Sequence, residues 1–329
     1  MKALVTGGGG FLGAAVVRLL VARGDDVRSL TRGSYPQLAA LGVHSFRGDL
    51  GDSAAVRAAA AGCDVVFHVG AKAGIAGSAR EYVATNVEGT DNVIAACRTN
   101  GVHRLVYTST PSVVSARRGI AGGDESLPYA QRHHAPYPAT KAKAERAVLA
   151  ANGPGLATIA LRPHLIWGPG DTQLIPRIVD RARRGRLRFV GDGSNLIDST
   201  YIDNAAGAHL LAADRLHPGA AISGRAYFIS QDEPLPIRDL VNGILAAAGI
   251  EPVRARIPYP VAYALGGLGE AAFALVGRGA EPPMTRFLAR QLATPHWFDI
   301  SAARRDLDYE PRLSITEGLA RLQDHLRGR

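Results

Sequence analysis

The chain has 329 residues, of which 47% are hydrophobic and 20% are charged. These proportions are typical of a soluble globular protein with a complete core. Arginine and lysine exceed aspartate and glutamate by nine, but the positive charges are scattered apart from one dense run at 181–188. No aromatic residues are interleaved with that run, which argues against nucleic-acid binding. We interpret it as the solvated end of a helix and the start of a strand, with a site for an acidic substrate or partner as the alternative.

The N-terminal segment is apolar enough to raise the question of a signal peptide. Four consecutive glycines at 7–10 interrupt it, however, and no cleavage site of small residues follows. No stretch of the sequence reaches the roughly 18 consecutive apolar residues of a membrane-spanning helix. Cys63 and Cys97 have neither the spacing of metal ligands nor that of a redox pair, so we expect two buried thiols and no metal site. The expected location is the cytoplasm.

Short β-rich runs alternate with helical patterns through the first half of the chain. The predicted strands span 2–6, 26–31, 43–48, 63–69, 102–110 and 156–162. Helices are predicted at 11–24, at 81–101 and from near Pro138. Because strands separated by helices pair in parallel through right-handed crossovers, this order predicts a doubly wound α/β sheet.

The alternation becomes irregular after residues 167–171, although a late strand is predicted at 225–230. We therefore expect one domain at 1–170, to which later strands also contribute. A smaller C-terminal region that caps it is expected at 171–329.

The segment TGGGGFLG (6–13) stands between the first predicted strand and the first predicted helix. Gly7, Gly10 and Gly13 follow the spacing of a dinucleotide-binding turn, and Gly8 also allows the tighter alignment. A helix that starts at such a turn receives a pyrophosphate at its N-terminus. The alternative is a tight turn with a purely structural role.

Tyr137 and Lys141 in the segment YPATK are four residues apart, so they share one face of a helix. Pro136 and Pro138 indicate that this helix begins there. A phenol needs a neighbouring cation to act as an acid or base near neutral pH, and an ammonium group can supply it. Only four of the basic residues in the chain are lysines, which favours a specific role for Lys141. A pair of surface residues is the alternative.

With these residues in place, the sequence resembles the extended short-chain dehydrogenase/reductases, and within them the 3β-hydroxysteroid dehydrogenase-like branch. More narrowly, it resembles the 2-alkyl-3-oxoalkanoate reductases of bacterial long-chain olefin biosynthesis over nearly its whole length. The segments that carry this resemblance are LVYTSTPSVV, APYPATKAKAERAVLAANG, LRPHLIWGPGD, TYIDNAAGAHLLA and TPHWFDISAARRDLDYEP.

The resemblance implies a Rossmann fold and a catalytic set of hydroxyl, tyrosine and lysine. It assigns catalysis to Tyr137, Lys141 and Thr110, with Ser109 and Ser112 as neighbouring candidates for the hydroxyl. Asn86 supports the site through an ordered water. The cofactor-binding residues that it implies are Gly7, Gly10, Phe11, Leu12, Gly13, Thr31, Arg32, Asp49, Leu50, Lys141 and Pro163.

Arg162 and Pro163 belong, in relatives, to a loop over nicotinamide and substrate, although Arg162 is equally well explained as a structural ion-pair partner. His133, His134 and His164 are expected to be surface or satisfied residues.

The implied reaction is the NADPH-dependent reduction of the 3-keto group of a long 2-alkyl-3-oxo acid. NADPH is favoured over NADH because Thr31 and Arg32 stand where relatives that prefer NAD carry an acidic residue. Stacking of Arg32 on the adenine is the alternative. Three other activities stay open: hydroxysteroid dehydrogenation, nucleotide-sugar epimerisation or dehydration, and NADP sensing without catalysis.

The resemblance also implies a homodimer, and as partners a thiolase-like condensing enzyme and a β-lactone synthetase of the same pathway. We expect at most peripheral contact with a membrane. The apolar segment 259–279 is interpreted either as a helix in the core of the capping region or as a surface for the alkyl chains of the substrate, a membrane or a partner.

Overall fold

The computed structural model describes residues 1–74, 77–114, 119–133, 135–276 and 284–328. The helices in these residues are α1 Phe11–Ala22, α2 Pro36–Ala40, α3 Ser53–Ala60, α4 Ala79–Val83, α5 Gly89–Thr99, α6 Pro136–Ala150, α7 Leu174–Arg183, α8 Ile202–Arg215, α9 Ile237–Ala247, α10 Tyr259–Val276, α11 Arg286–Ala293, α12 Ser301–Leu307 and α13 Ile315–Arg327. The strands are β1 Lys2–Thr6, β2 Asp26–Thr31, β3 His44–Arg47, β4 Val65–His68, β5 Arg104–Thr108, β6 Ile120–Gly123, β7 Ala157–Pro163, β8 Ile166–Trp167, β9 Phe189–Val190, β10 Leu196–Ile197, β11 Thr200–Tyr201, β12 Arg225–Ile229, β13 Leu235–Pro236, β14 Arg256–Ile257 and β15 His296–Phe298.

Seven parallel strands form the main sheet in the order β12, β7, β5, β4, β1, β2, β3. The predicted doubly wound sheet is thus confirmed, and the late strand at 225–230 lies in it as the edge strand β12. The strand order reverses direction between β1 and β4, so a crevice opens beyond the carboxyl ends of these two strands. The division of the chain at residue 170 stays a prediction.

Helices cover both faces of this sheet because successive side chains of a strand point to opposite sides. Val5 and Val106 pack on the face that α1 and α8 cover, where Val16 and Ala205 are buried. The other face is covered by α3, α5 and α6 and carries a second core. Its members include Leu4, Val66, Leu105, Val93 and Val148. Cys63 and Cys97 are buried, as predicted.

After residue 171, where the sequence pattern is irregular, helices α7–α13 are connected by short strands. A second sheet has the order β13, β10, β15, β6, and β8 pairs with β11 in parallel. Trp167 and Tyr201 at the ends of β8 and β11 are buried edge to face, with their ring centroids 5.4 Å apart. Strands of two or three residues carry little periodicity, so their pairing is set by packing rather than by pattern.

Helix α10 packs on α11 along one side and exposes the other. A Cβ on Gly266 would lie 2.6 Å from the backbone of Thr285, and Glu270 forms an ion pair with Arg286 at 2.7 Å. On the opposite side, Val261, Leu265 and Leu268 follow helical spacing and are 47%, 50% and 69% exposed. Residues 277–279 of the predicted apolar segment lie outside the described residues. Within the described ranges, no helix has the length and apolarity needed to cross a bilayer.

Two helix glycines allow a test of the packing at the first turn. A Cβ on Gly13 of α1 would lie 2.1 Å from the Gly7 carbonyl oxygen, whereas a Cβ on Gly207 of α8 meets no atom within 4 Å. We expect Gly13→Ala to destabilise the protein by about 1–3 kcal/mol through overpacking. Gly207→Ala should stabilise it by about 0.5–1 kcal/mol because alanine restricts the unfolded chain. Urea unfolding measures both changes, and equal midpoints for the two variants would contradict the close packing.

Candidate functional site

The glycine turn between β1 and α1 fits a pyrophosphate. Gly7 has a φ of +70°, and a Cβ there would lie 2.7 Å from the Cα of Gly70. Gly10 caps α1 without a side-chain hydrogen bond, and the first turn of α1 carries no acidic residue. No side chain therefore caps the N–H groups at the start of α1, which can receive an anion, and the missing side chains leave room for its close approach. Phe11, Leu12 and Gly13 form the first turn of the helix.

Two arginines lie at the carboxyl ends of β2 and β3. Arg32 follows β2, and its carbonyl accepts a hydrogen bond of 3.3 Å from the guanidinium of Arg47, the last residue of β3. Both side chains are exposed. Thr31 is buried and donates to the Gly33 carbonyl at 3.0 Å. The sequence analysis missed Arg47, although the strand at 43–48 ends in Arg-Gly beside the predicted Thr31 and Arg32.

The predicted adenine-side residues come directly after β3. Asp49 is exposed and its carboxylate accepts a hydrogen bond of 2.8 Å from the Gly51 N–H. Leu50 is half-buried, and a Cβ on Gly70 or Gly89 would meet its side chain at 3.3 or 2.7 Å. Leu50 thus lies on the side of the crevice that also holds the glycine turn.

A buried histidine connects the glycine turn to the predicted catalytic residues. The Thr90 hydroxyl donates to the Asn86 carbonyl at 2.7 Å, so it accepts a hydrogen bond from Nε2 of His68 at 3.0 Å. The Nδ1 atom then accepts from the Thr6 hydroxyl at 2.8 Å, and Thr6 accepts from the Gly70 N–H at 3.1 Å. Burial lowers the pKa of His68 to about 3, so the ring is neutral and its tautomer is fixed. The sequence analysis did not single out His68.

Asn86 lies in a π-helical turn, Ala84–Glu88, between α4 and α5. Its side chain accepts from the Lys72 N–H at 2.7 Å and donates to the Lys72 carbonyl at 3.0 Å. It also donates to the Thr140 hydroxyl at 3.1 Å, and Thr140 donates to the Pro136 carbonyl at 2.8 Å. Asn86 is 2% exposed. It therefore ties the loop after β4 to the first turn of α6.

Tyr137 is brought together with the predicted hydroxyl. The Thr110 hydroxyl lies close enough to the Tyr137 phenol to lower its pKa. Thr110 also lies 3.0 Å from the hydroxyl oxygen of Ser112. Ser109 is buried instead, and its hydroxyl has no hydrogen-bond partner in the part of the chain that the structure describes. Burial raises the pKa of Tyr137 to about 12, while Thr110 acts in the opposite direction.

Lys141 is 3% exposed, and its ammonium group donates to the Thr108 carbonyl at 2.6 Å. The Nζ atom lies 4.1 Å from the ring centroid of Tyr107. Burial lowers the pKa of Lys141 to about 7, and the carboxylate of Glu145 partly offsets this effect. Burial dominates at the phenol, and the lowering of the Tyr137 pKa by Lys141, whose ammonium group donates to β5, stays a prediction.

Arg162 and Pro163 were expected in a loop, but they are the last two residues of β7, paired with Phe228 and Ile229 of β12. The guanidinium of Arg162 forms two hydrogen bonds to Glu145, of 2.6 and 3.0 Å, and both side chains are buried. This finding supports the ion-pair interpretation of Arg162. The sequence analysis missed Glu145, although it follows Lys141 by one helical turn.

The histidines near this edge differ in their surroundings. His164 follows β7, is buried, and pairs through Nδ1 with the fully buried Asp198. It is thus a satisfied residue. His133 is partly exposed, whereas His134 lies outside the described residues.

The chain is similar to known proteins over nearly its whole length. The sequence pattern of the 3-beta hydroxysteroid dehydrogenase/isomerase family matches residues 4–260. A 2-alkyl-3-oxoalkanoate reductase of Stenotrophomonas maltophilia (strain K279a) is 58% identical over 98% of each chain. A protein of the same name from Shewanella oneidensis is 48% identical over 98% of this chain and 86% of its own. Among solved structures, MoeE5 in complex with UDP-glucose and NAD is 26% identical, with a TM-score of 0.76 over 100% of this chain and 99% of that one.

The family match covers well over half of the chain, and the resemblance inferred from the glycine turn and the YPATK segment is confirmed. The structure adds a parallel sheet with the predicted hydroxyl, phenol and ammonium groups at its carboxyl edge. The chain therefore belongs to the 3-beta hydroxysteroid dehydrogenase/isomerase family, and it is an oxidoreductase of the extended short-chain dehydrogenase type.

Proposed function

We propose that this protein reduces the 3-keto group of long-chain 2-alkyl-3-oxoalkanoic acids to the 3-hydroxy group, with NADPH as the cofactor. The observation that carries the proposal is the 58% identity, over 98% of each chain, to an enzyme named 2-alkyl-3-oxoalkanoate reductase. The presence of Tyr137, Thr110 and Lys141 at one edge of the sheet supports it, because a reductase needs an acid and a donor at the ketone oxygen.

The residues act on the oxygen of the ketone. Tyr137 donates its proton to the alkoxide that develops there, and Thr110, which lies beside the phenol, stabilises the same oxygen. The phenol pKa of about 12 makes Tyr137 a proton donor at neutral pH, and a nearby positive charge is needed for it to give the proton up readily. Lys141 is the buried cation one turn further along α6. Asn86 holds the first turn of α6 in place.

The residues present fit a nicotinamide dinucleotide. The glycine turn with the open N-terminus of α1 would hold the pyrophosphate, and Asp49 and Leu50 would flank the adenine. Lys141 would hold the ribose, and Pro163 would border the nicotinamide. When bound, the dinucleotide supplies the hydride to the ketone carbon. Arg32 and Arg47 favour NADPH because guanidinium groups pair with a 2′-phosphate.

A 3β-hydroxysteroid dehydrogenase activity is the second candidate, and the family match favours it. The steroid and the 2-alkyl-3-oxo acid share an apolar body next to a single oxygen that is reduced or oxidised. Both candidate activities require an apolar surface close to the catalytic edge of the sheet.

We further propose that the protein is a cytoplasmic homodimer that works beside a condensing enzyme and a β-lactone synthetase.

We propose that the exposed face of α10 forms part of this apolar surface. Val261, Leu265 and Leu268 are aligned on it and have no covering element among the described residues. Each buried methylene contributes about 0.8 kcal/mol. A substrate with two alkyl chains has the apolar area to use such a face.

The first experiment measures NADPH oxidation with a long 2-alkyl-3-keto acid, a 3-ketosteroid and a nucleotide sugar. We expect the keto acid to give the highest kcat/KM. Tyr137→Phe should lower kcat by at least about 100-fold, the usual range for loss of an acid catalyst, while NADPH binding changes little. Ser109→Ala should keep most of the turnover, because that hydroxyl is buried with no hydrogen-bond partner among the described residues, whereas Thr110→Val should lose it. Retention of a tenth of wild-type activity by Tyr137→Phe would remove its assigned role.

A second experiment concerns the cofactor. Thr31→Asp introduces a negative charge that repels the 2′-phosphate, and Arg47→Ala removes a charge-assisted contact to it. Each variant should lower the NADPH/NADH ratio of kcat/KM by about tenfold or more. Arg28→Ala is the matched control. Arg28 lies on β2, as Thr31 does, but its guanidinium donates to the Ala61 carbonyl at 2.7 Å. An unchanged ratio in both test variants rules the assignment out.

A third experiment concerns chain length. If alkyl chains lie on α10, four added carbons should raise kcat/KM by more than about tenfold. Leu268→Asp should flatten this dependence. Leu41→Asp, another exposed leucine, serves as the control and should leave it unchanged. A flat series in the wild type, or an unaltered slope in Leu268→Asp, would show that α10 takes no part in binding the chains.

A further inference from the structure

Glu145 occupies a position that packing alone does not explain. It is fully buried on α6, four residues after Lys141 and eight after Tyr137, so the three side chains lie on one helix face at intervals of about one turn. A buried carboxylate is expensive unless it is paired and hydrogen-bonded. Two other parts of the chain meet this requirement by binding it from outside the helix.

The first is β7, from which Arg162 makes its two hydrogen bonds to Glu145. The second is the segment before α6, from which the Tyr129 hydroxyl donates to Glu145 at 2.6 Å. Both oxygens of the carboxylate are thereby engaged, and the charge is held in one place. The guanidinium is not fully used, because its Nη1 atom is buried with no hydrogen-bond partner in the described part of the chain.

We propose that Glu145 is a positioning residue for catalysis: the carboxylate, fixed by Arg162 and Tyr129, keeps the buried Lys141 ammonium group charged. The inference rests on the catalytic role proposed above for Lys141. It goes beyond that role because it assigns the protonation of Lys141 to a residue that touches neither the substrate nor the cofactor.

Electrostatics around Lys141 support this assignment. Burial is the largest influence on Lys141 and lowers its pKa to about 7, and Glu145 is the charge that acts in the opposite direction. Among the described residues, Glu145 is the negative charge that acts on Lys141. Tyr107 on β5 presents its ring, Thr108 presents a carbonyl, and His68 on β4 is neutral. The titratable and charged groups that face Lys141 or Glu145 are His68, Tyr107, Tyr129, Tyr137 and Arg162.

The small number of lysines allows a direct test. The chain contains only Lys2, Lys72, Lys141 and Lys143, so protein labelled with ¹³C at lysine Cε gives few signals, and Lys141→Arg identifies the one sought. In the free enzyme, we expect the Lys141 signal of Glu145→Gln to titrate at least about one pH unit lower than in wild type, because an adjacent opposite charge is lost. This measurement needs neither substrate nor turnover.

Two further variants keep the test decisive. Tyr129→Phe is the comparison variant: it removes a hydrogen bond from Glu145 but no charge, so its Lys141 midpoint should shift by much less than that of Glu145→Gln. Glu145→Gln leaves Arg162 buried without a partner, which threatens folding. The double variant Glu145→Gln/Arg162→Met removes both charges at similar volume, and its Lys141 signal should also titrate below wild type. A wild-type midpoint in the folded double variant overturns the proposal.

Turnover provides a second readout. For Glu145→Gln, the loss of kcat relative to wild type should grow by about tenfold between pH 6 and pH 8, because Lys141 loses its proton earlier. A uniform loss at all pH values would show that Glu145 is only structural. Failure of the wild type to reduce any keto acid would count against the proposed function, whereas the Lys141 titration would still decide the role of Glu145.

Discussion

The buried face of α6 is the constraint on which the site depends. A helix packed on a parallel sheet normally presents apolar side chains to it, yet α6 presents Tyr137, Lys141 and Glu145 in succession. Each of these polar groups needs a partner because burial removes water. The Thr108 carbonyl at the end of β5 accepts from Lys141, Arg162 of β7 pairs with Glu145, and Thr110, two residues after β5, lies beside Tyr137. The chemistry of the site and the attachment of α6 to the sheet are therefore the same set of contacts.

The choice between lysine and arginine follows from this arrangement. The chain uses arginine for nearly all of its positive charge, including the buried ion pair of Arg162 with Glu145. A guanidinium keeps its proton under all ordinary conditions, whereas an ammonium group responds to burial and to neighbouring charges. Lys141 is placed where such a response matters, between a neutral His68 and a charged Glu145. Arginine at that position would hold charge but would not titrate.

The sequence predicted those parts of the structure that depend on local pattern. The parallel strands follow from β-rich runs separated by helices, and the turn at Gly7 and Gly13 follows from spacing that only a close backbone approach requires. The pairing of Tyr137 with Thr110 came from the resemblance to a family, because no local pattern relates α6 to the end of β5.

The parts of the site and fold that the sequence did not predict depend on contacts between residues far apart in the chain. Arg47 joins Arg32 only because β3 pairs beside β2, and Glu145 meets Arg162 only because α6 lies across β7. The predicted strand 156–162 already ends at Arg162, whereas the resemblance assigns Arg162 and Pro163 to a loop, and only the pairing of β7 with β12 shows that the strand includes Pro163. The two-residue strands of the second sheet are likewise set by what packs on them.

The position of β3 at the edge of the main sheet has a consequence for assembly. An edge strand offers unpaired backbone groups to other chains, and proteins protect such edges with short length and charged side chains. β3 has only four residues, and His44, Ser45 and Arg47 are exposed on it. Arg47, which we propose to bind the cofactor phosphate, is thus also a charged residue of the kind that protects a sheet edge from pairing with another chain. We therefore expect that replacing Arg47 to change cofactor preference also makes the protein more prone to aggregate.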